Sequence, residues 1–97
     1  MASYSFAEMA LKDIREICEY VAQDDARAAS RLFDRIREKC KLVADFPRMG
    51  KSYDRLTPNL RAFIVDGYLV FYFPREDGID VSRVINGYRD LPSIFEV

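Results

Sequence analysis

The side chains that could do chemistry in this 97-residue sequence are two cysteines, fifteen lysines and arginines, six tyrosines and the carboxylates, since there is no histidine. Cys18 and Cys40 therefore lack the partner of a Cys/His nucleophile or a mixed zinc site. The sequence has no G-x-S-x-G, no glycine-rich phosphate loop and no pair of carboxylates at a recognisable catalytic spacing. What remains is a set of arginines, lysines and a tyrosine. Such a set can cleave RNA by orienting a 2′-hydroxyl and stabilising charge on the phosphate. No metal and no cofactor are expected.

The charge is nearly balanced, 15 basic against 16 acidic residues for a net −1. It is evenly spread along the chain, and nothing in it announces direct, specific nucleic-acid binding. One local concentration stands out. Arg27, Arg31, Arg35 and Lys39 recur every four residues, a cationic ridge on one side of a helix, interleaved with Asp34 and Glu38. It either meets an acidic partner or forms a solvated face supported by pairs such as Asp34 to Arg37. The first residues show neither a cationic n-region nor an apolar h-region, and no apolar run approaches the ~18 residues of a membrane span. A cytoplasmic protein without membrane contact is expected.

The length suits one domain over residues 1–97. Tyr4 and Phe6 suggest a short strand, and Ser5 with Glu8 spells a capping box ahead of an apolar stripe of Leu11, Ile14, Ile17, Cys18 and Val21. Asp24 or Asp25 caps a second helix, whose stripe runs Ala29, Leu32, Phe33, Ile36, Cys40 and Val43 until Pro47 stops it. In a hairpin turning near Asp24 and Asp25 the two cysteines lie ~13 Å apart along the helices, too far for a disulfide. Residues 49–58 lose all periodicity and read as a loop.

Residues 61–65 and 68–73 are β-branched and aromatic runs joined by Asp66-Gly67, a strong hairpin signal, and 79–85 is a third strand. The fold class is α+β: a short N-terminal strand, a two-helix antiparallel hairpin and a three-stranded antiparallel meander. A two-residue turn sets Val65 opposite Tyr68, Phe63 opposite Val70 and Arg61 opposite Tyr72. The other face then carries Leu60, Ala62, Ile64, Leu69, Phe71 and Phe73. Both faces are apolar, and two helices cover only one. The second awaits a partner protein, self-association or the tail at 91–97.

The segments Phe46-Pro47-Arg48-Met49-Gly50, Leu60-Arg61-Ala62-Phe63, Gly67-Tyr68-Leu69-Val70-Phe71-Tyr72 and Arg83-Val84-Ile85-Asn86-Gly87-Tyr88-Arg89-Asp90, in this order, resemble the ParE/RelE superfamily of bacterial toxins, on its ParE branch. That superfamily supports two activities on one scaffold, ribosome-dependent mRNA cleavage and poisoning of DNA gyrase. Aligned on Gly67-Tyr68 and Gly87, the polar groups of RelE-like ribonucleases fall on Leu60, Ala62, Leu69, Arg89 and Phe95. Only Arg89 keeps its type. Leucine and alanine bind no phosphate, and Phe95 lacks the hydroxyl of a general acid or base.

The resemblance therefore implies the toxin of a type II toxin–antitoxin pair, of the kind tied to plasmid stabilisation, which inhibits DNA gyrase by binding rather than by turnover. A RelE-like mRNA endonuclease and a non-toxic binding module on the same scaffold are the alternatives. The implied partner is a ParD-like antitoxin of ribbon-helix-helix type in a 2:2 complex. The expected antitoxin-binding residues are Leu60, Ala62, Leu69, Phe71 and Phe73; Arg83, Arg89 and Phe95 are the expected target contacts, and no residue is catalytic.

Overall fold

A computed structural model describes residues 2–87. In chain order the elements are β1 (Ser3–Phe6), α1 (Glu8–Ala22), α2 (Ala26–Asp45), β2 (Lys51–Ser52), β3 (Arg61–Val65), β4 (Tyr68–Arg75) and β5 (Gly78–Asn86). They form one sheet in the order β1-β5-β4-β3-β2. β3, β4 and β5 are the antiparallel meander expected from the sequence; β1 pairs parallel with β5, and β2 pairs antiparallel with β3.

α2 begins where Asp25 accepts hydrogen bonds from the backbone N–H groups of Arg27 and Ala28, at 2.9 and 3.3 Å. Its stripe of Ala29, Leu32, Ile36, Cys40 and Val43 is buried. α1 starts differently from the expectation. Its N-cap is Ala7, with no side-chain cap. Ser5 belongs to β1, and its hydroxyl donates to Asp80 across the β1–β5 pair, so the capping box does not form. The buried face of α1 is centred on Ala10, Asp13 and Ile14, which leaves Leu11 about half exposed.

The β3–β4 register is the one the turn dictates, with Val65 opposite Tyr68, Phe63 opposite Val70 and Arg61 opposite Tyr72. Asp66 and Gly67 both take positive φ, 51° and 84°, the pattern of a type I′ hairpin turn. β4 runs two residues past the expected end, through Pro74. Proline is tolerated there because β3 ends opposite Tyr72, so β4 has become an edge at Pro74. Between β4 and β5 the register shifts next to Phe71 and Tyr72, leaving Ser82 as the extra residue of a bulge.

The helices cover one face. Ile14, Leu32, Ile36, Cys40 and Val43 pack on Phe63, Val65, Val70, Tyr72, Ile79, Val81 and Val84. Each such side chain contributes about 1.5–3 kcal/mol by leaving water. Both cysteines are free thiols. Burial pushes the Cys40 thiol up to about 12.

Candidate partner-binding surface

The second face of the sheet does not stand open as the sequence suggests. Leu60, Ala62, Leu69, Phe71 and Ile85 form a separate cluster with exposures of 0–7%, and Tyr53, Leu56 and Phe73 pack on it half-buried. Tyr53 meets Phe71 edge-on at 5.2 Å between ring centres, and the Lys51 ammonium lies over the Tyr53 ring at 5.6 Å. The aperiodic segment after β2 folds back over the sheet; Tyr53 donates its N–H to the Leu60 carbonyl at 2.8 Å. The residues expected to bind antitoxin are thus brought together, but four of the five are interior. Ile64, on the same side of β3, is the exception at 65% exposed.

Arg83 is also engaged. Once β1 ends at Phe6, the outer edge of β5 passes to α1, and the Val84 N–H donates to Asp13 Oδ2 at 2.9 Å. Asp13 is a buried carboxylate, and Arg83 grips it at two points, Nε to Oδ2 at 2.7 Å and Nη2 to Oδ1 at 3.0 Å. That contact raises the Arg83 pKa, with burial acting in the opposite sense. Asp80, a partner that sequence proximity offers, does not hold this arginine; Asp90, the other, lies outside the described residues. Asp80 belongs to Arg75, which also reaches Asp77, Ser3 and Ser5 and so laces β1 to the β4–β5 turn. Arg89 and Phe95 lie outside the described residues.

The cationic ridge divides. Arg35 is bound to Asp66 of the hairpin turn, through Nε at 2.8 Å and through Nη2, while Arg31 lies 3.8 Å from Asp25. Arg27 is exposed and Lys39 half-buried. Arg37 stands over Phe33 at 5.5 Å. Its pKa is raised chiefly by Tyr4, with Asp34 a lesser cause. Half of the ridge therefore serves the fold.

A second arrangement escaped the sequence. Tyr72, fully buried, donates its hydroxyl to the Pro47 carbonyl at 2.7 Å and accepts the Gly50 N–H at 3.0 Å. Arg61 donates to the carbonyls of Arg48 and Gly50 from the same strand pair. Burial raises the Tyr72 pKa, while the Gly50 N–H and Arg61 pull it down. Gly50 is obligatory on steric grounds, since a Cβ there would come within 2.4 Å of the Tyr72 hydroxyl. The loop at residues 47–50 is pinned, and it presents Phe46 and Met49, 61% and 50% exposed. The signal was in the sequence: Arg61 and Tyr72 are polar groups on the helix-facing side of otherwise apolar strands, which requires partners.

The family model described as ParE toxin of type II toxin-antitoxin system, parDE, matches residues 4–91. The chain belongs to this ParE toxin family. A curated relative, Toxin ParE3 of Caulobacter vibrioides, is 29% identical over 77 residues, covering 79% of this chain and 74% of the relative. Among solved structures, a chain of the chromosomal ParDE TA system from P. aeruginosa superposes with a TM-score of 0.71 at 18% identity, covering 89% of this chain and 96% of that one. The latter bears out the fold.

In this ParE-type chain three of the positions where a RelE-like ribonuclease would carry polar groups, Leu60, Ala62 and Leu69, are not merely apolar in type. They are 0, 2 and 7% exposed beneath Tyr53 and Leu56. No phosphate reaches them. Among the described residues no helix is long and apolar enough to cross a membrane.

Proposed function

We propose that this ParE-type toxin acts in the cytoplasm by binding DNA gyrase and trapping its cleaved DNA complex, without turnover, and that a ParD-like ribbon-helix-helix antitoxin neutralises it in a 2:2 complex. The observation that carries the non-catalytic reading is the burial of Leu60, Ala62 and Leu69 in a sealed apolar cluster. An oxyanion-stabilising site needs charged or polar donors held at the reacting phosphate. The membership of the parDE family supports the antitoxin, and the ParE branch of the resemblance supports gyrase. Arg89 and Phe95 remain the proposed target contacts; Arg83 leaves that set, because its guanidinium is spent on Asp13.

Titration of purified gyrase tests the reading. A stoichiometric inhibitor lowers supercoiling as its concentration approaches that of the enzyme or its own dissociation constant, and linear DNA accumulates when trapped complexes are denatured. Preincubation with antitoxin prevents both. Normal supercoiling with toxin in large excess, in cells whose growth the chain arrests, removes gyrase as the target.

A further inference from the structure

The sheet is least finished at Ile64. β2 covers the outer edge of β3 only at Arg61 and Ala62. Beyond Gly50 the chain turns away toward Pro47, where Tyr72 and Arg61 hold it. In a two-residue hairpin the residues flanking the turn exchange hydrogen bonds, so alternate residues of β3 direct their N–H and C=O away from β4. Ala62 and Ile64 are those residues, a parity that the Tyr53 to Leu60 hydrogen bond shares. Ala62 meets Lys51. Ile64 has no backbone partner on that edge among the described residues. Its side chain points away from the helices and is 65% exposed. An open strand edge carrying an exposed β-branched residue is a template for another strand.

We infer that the outer edge of β3 at Ile64 is a docking site for an extended segment of the antitoxin, which adds a short strand there with an apolar residue against Ile64 and a carboxylate toward Lys51. This rests on the reading above that a protein antitoxin neutralises the chain. Unpaired N–H and C=O groups ask for a backbone, and the local charge says whose. At the turn end of the edge Asp66 is already taken by Arg35. At the other end Lys51 is exposed, has only the Tyr53 ring beneath it, and pairs with no carboxylate among the described residues. A second copy of this chain fits poorly. Setting Ile64 antiparallel to its own counterpart places the β2 of each copy, which occupies the same edge at Ala62, against the hairpin turn of the other. A slender extended segment has no such obstruction.

Residue-resolved amide exchange on the full chain, alone and bound to a ParD-like antitoxin that neutralises it, tests the site. The Ile64 amide should exchange freely in the toxin and slow about a hundredfold or more in the complex, as an amide does on entering a ladder. Ile64→Lys, a charge at an exposed edge, should weaken antitoxin binding about tenfold or more without moving the urea midpoint. Ile64→Pro, which removes the donor at an edge where proline is tolerated, should do likewise; if that variant does not fold, exchange at the unmodified residue decides. A complex that forms while Ile64 exchanges unchanged overturns the inference. So does protection that rises with toxin concentration alone, which assigns the edge to a second copy. Failure of the antitoxin to bind at all is a separate result, since it removes the antitoxin reading itself.

Discussion

Arg83 on β5 and Asp13 on α1, seventy residues apart, form a two-point ion pair at the sheet edge, and the same carboxylate accepts the Val84 N–H. The pair closes an edge that β1 leaves uncovered past Phe6. It ties the helical hairpin to the last strand before the chain leaves the described residues.

Arg83→Ala should therefore act on stability first. It leaves Asp13, 9% exposed, with one backbone donor for its charge. Breaking a buried pair in this way costs about 3–5 kcal/mol, and we expect about 2–3 here because Arg83 itself is partly exposed. Urea denaturation measures it. The double variant Asp13→Asn/Arg83→Ala should recover part of the loss; a double variant no better than Arg83→Ala would mean that the carboxylate is not the source of the cost.

Gly50→Ala should destabilise by about 2 kcal/mol or more, because the new Cβ meets Tyr72 and the Ala62 carbonyl at 2.4 and 2.9 Å, against a fully buried ring and a backbone that have no room to move. Tyr72→Phe tests the same anchor from the other side. It leaves a buried Gly50 N–H and the Pro47 carbonyl without their partner, a loss of about 1–3 kcal/mol. Thermal unfolding of both variants is the measurement, and a Gly50→Ala protein as stable as the parent would sink this account of the loop.

Alkaline pH should weaken the fold through Cys40. The folded thiol is pushed up to about 12 from an ordinary value of 9.0. Below pH 9 both folded and unfolded forms carry the proton, and stability does not respond. Between about 9 and 12 the unfolded chain releases its proton while the folded one keeps it, so stability falls by up to ~1.4 kcal/mol per pH unit from this group. Tyr72 and Cys18, also raised by burial, add in the same direction. Chemical denaturation from pH 8 to 11 should show the decline, and Cys40→Ala, though less stable throughout, should show a shallower one.

The parts of the fold readable from sequence are those with local causes. Asp66-Gly67 carries its register in two residues, and the α2 stripe repeats with the helical period from an Asp25 cap that is itself visible. Long-range pairings left no such trace. Ser5 and Glu8 spell a capping box, yet Ser5 is claimed by Asp80, seventy-five residues away, because β1 pairs with β5. That parallel pairing needs Gly78, at φ 149°, where a Cβ would come within 1.7 Å of the Ser3 carbonyl. Strand alternation marks the second face as apolar but not as covered, because its cover, Tyr53 and Leu56, sits in a segment whose lack of periodicity hides it. Arg83 pointed to a contact, and only the tertiary packing shows that the contact is internal.

Burial also decides how the nuclease alternative is to be tested. The unmodified chain should not cut mRNA in programmed ribosomes, since a phosphate must meet cationic donors and Leu60, Ala62 and Leu69 offer none. Restoring the missing types will not rescue it. Leu60→Lys and Leu69→Arg would place ammonium and guanidinium groups beneath Tyr53 and beside Phe71 and Ile85, in a cluster of apolar side chains. Burying an unpaired charge there should cost about 3 kcal/mol or more and open the face before any site could form. Leu69→Glu, which at an exposed binding residue would spare the fold and lose only affinity, should for the same reason unfold the chain at markedly lower urea, whereas Ile64→Glu should not. Codon-positioned cleavage by the unmodified chain, above a heat-inactivated control, would restore the endonuclease reading and require a catalytic set other than these residues.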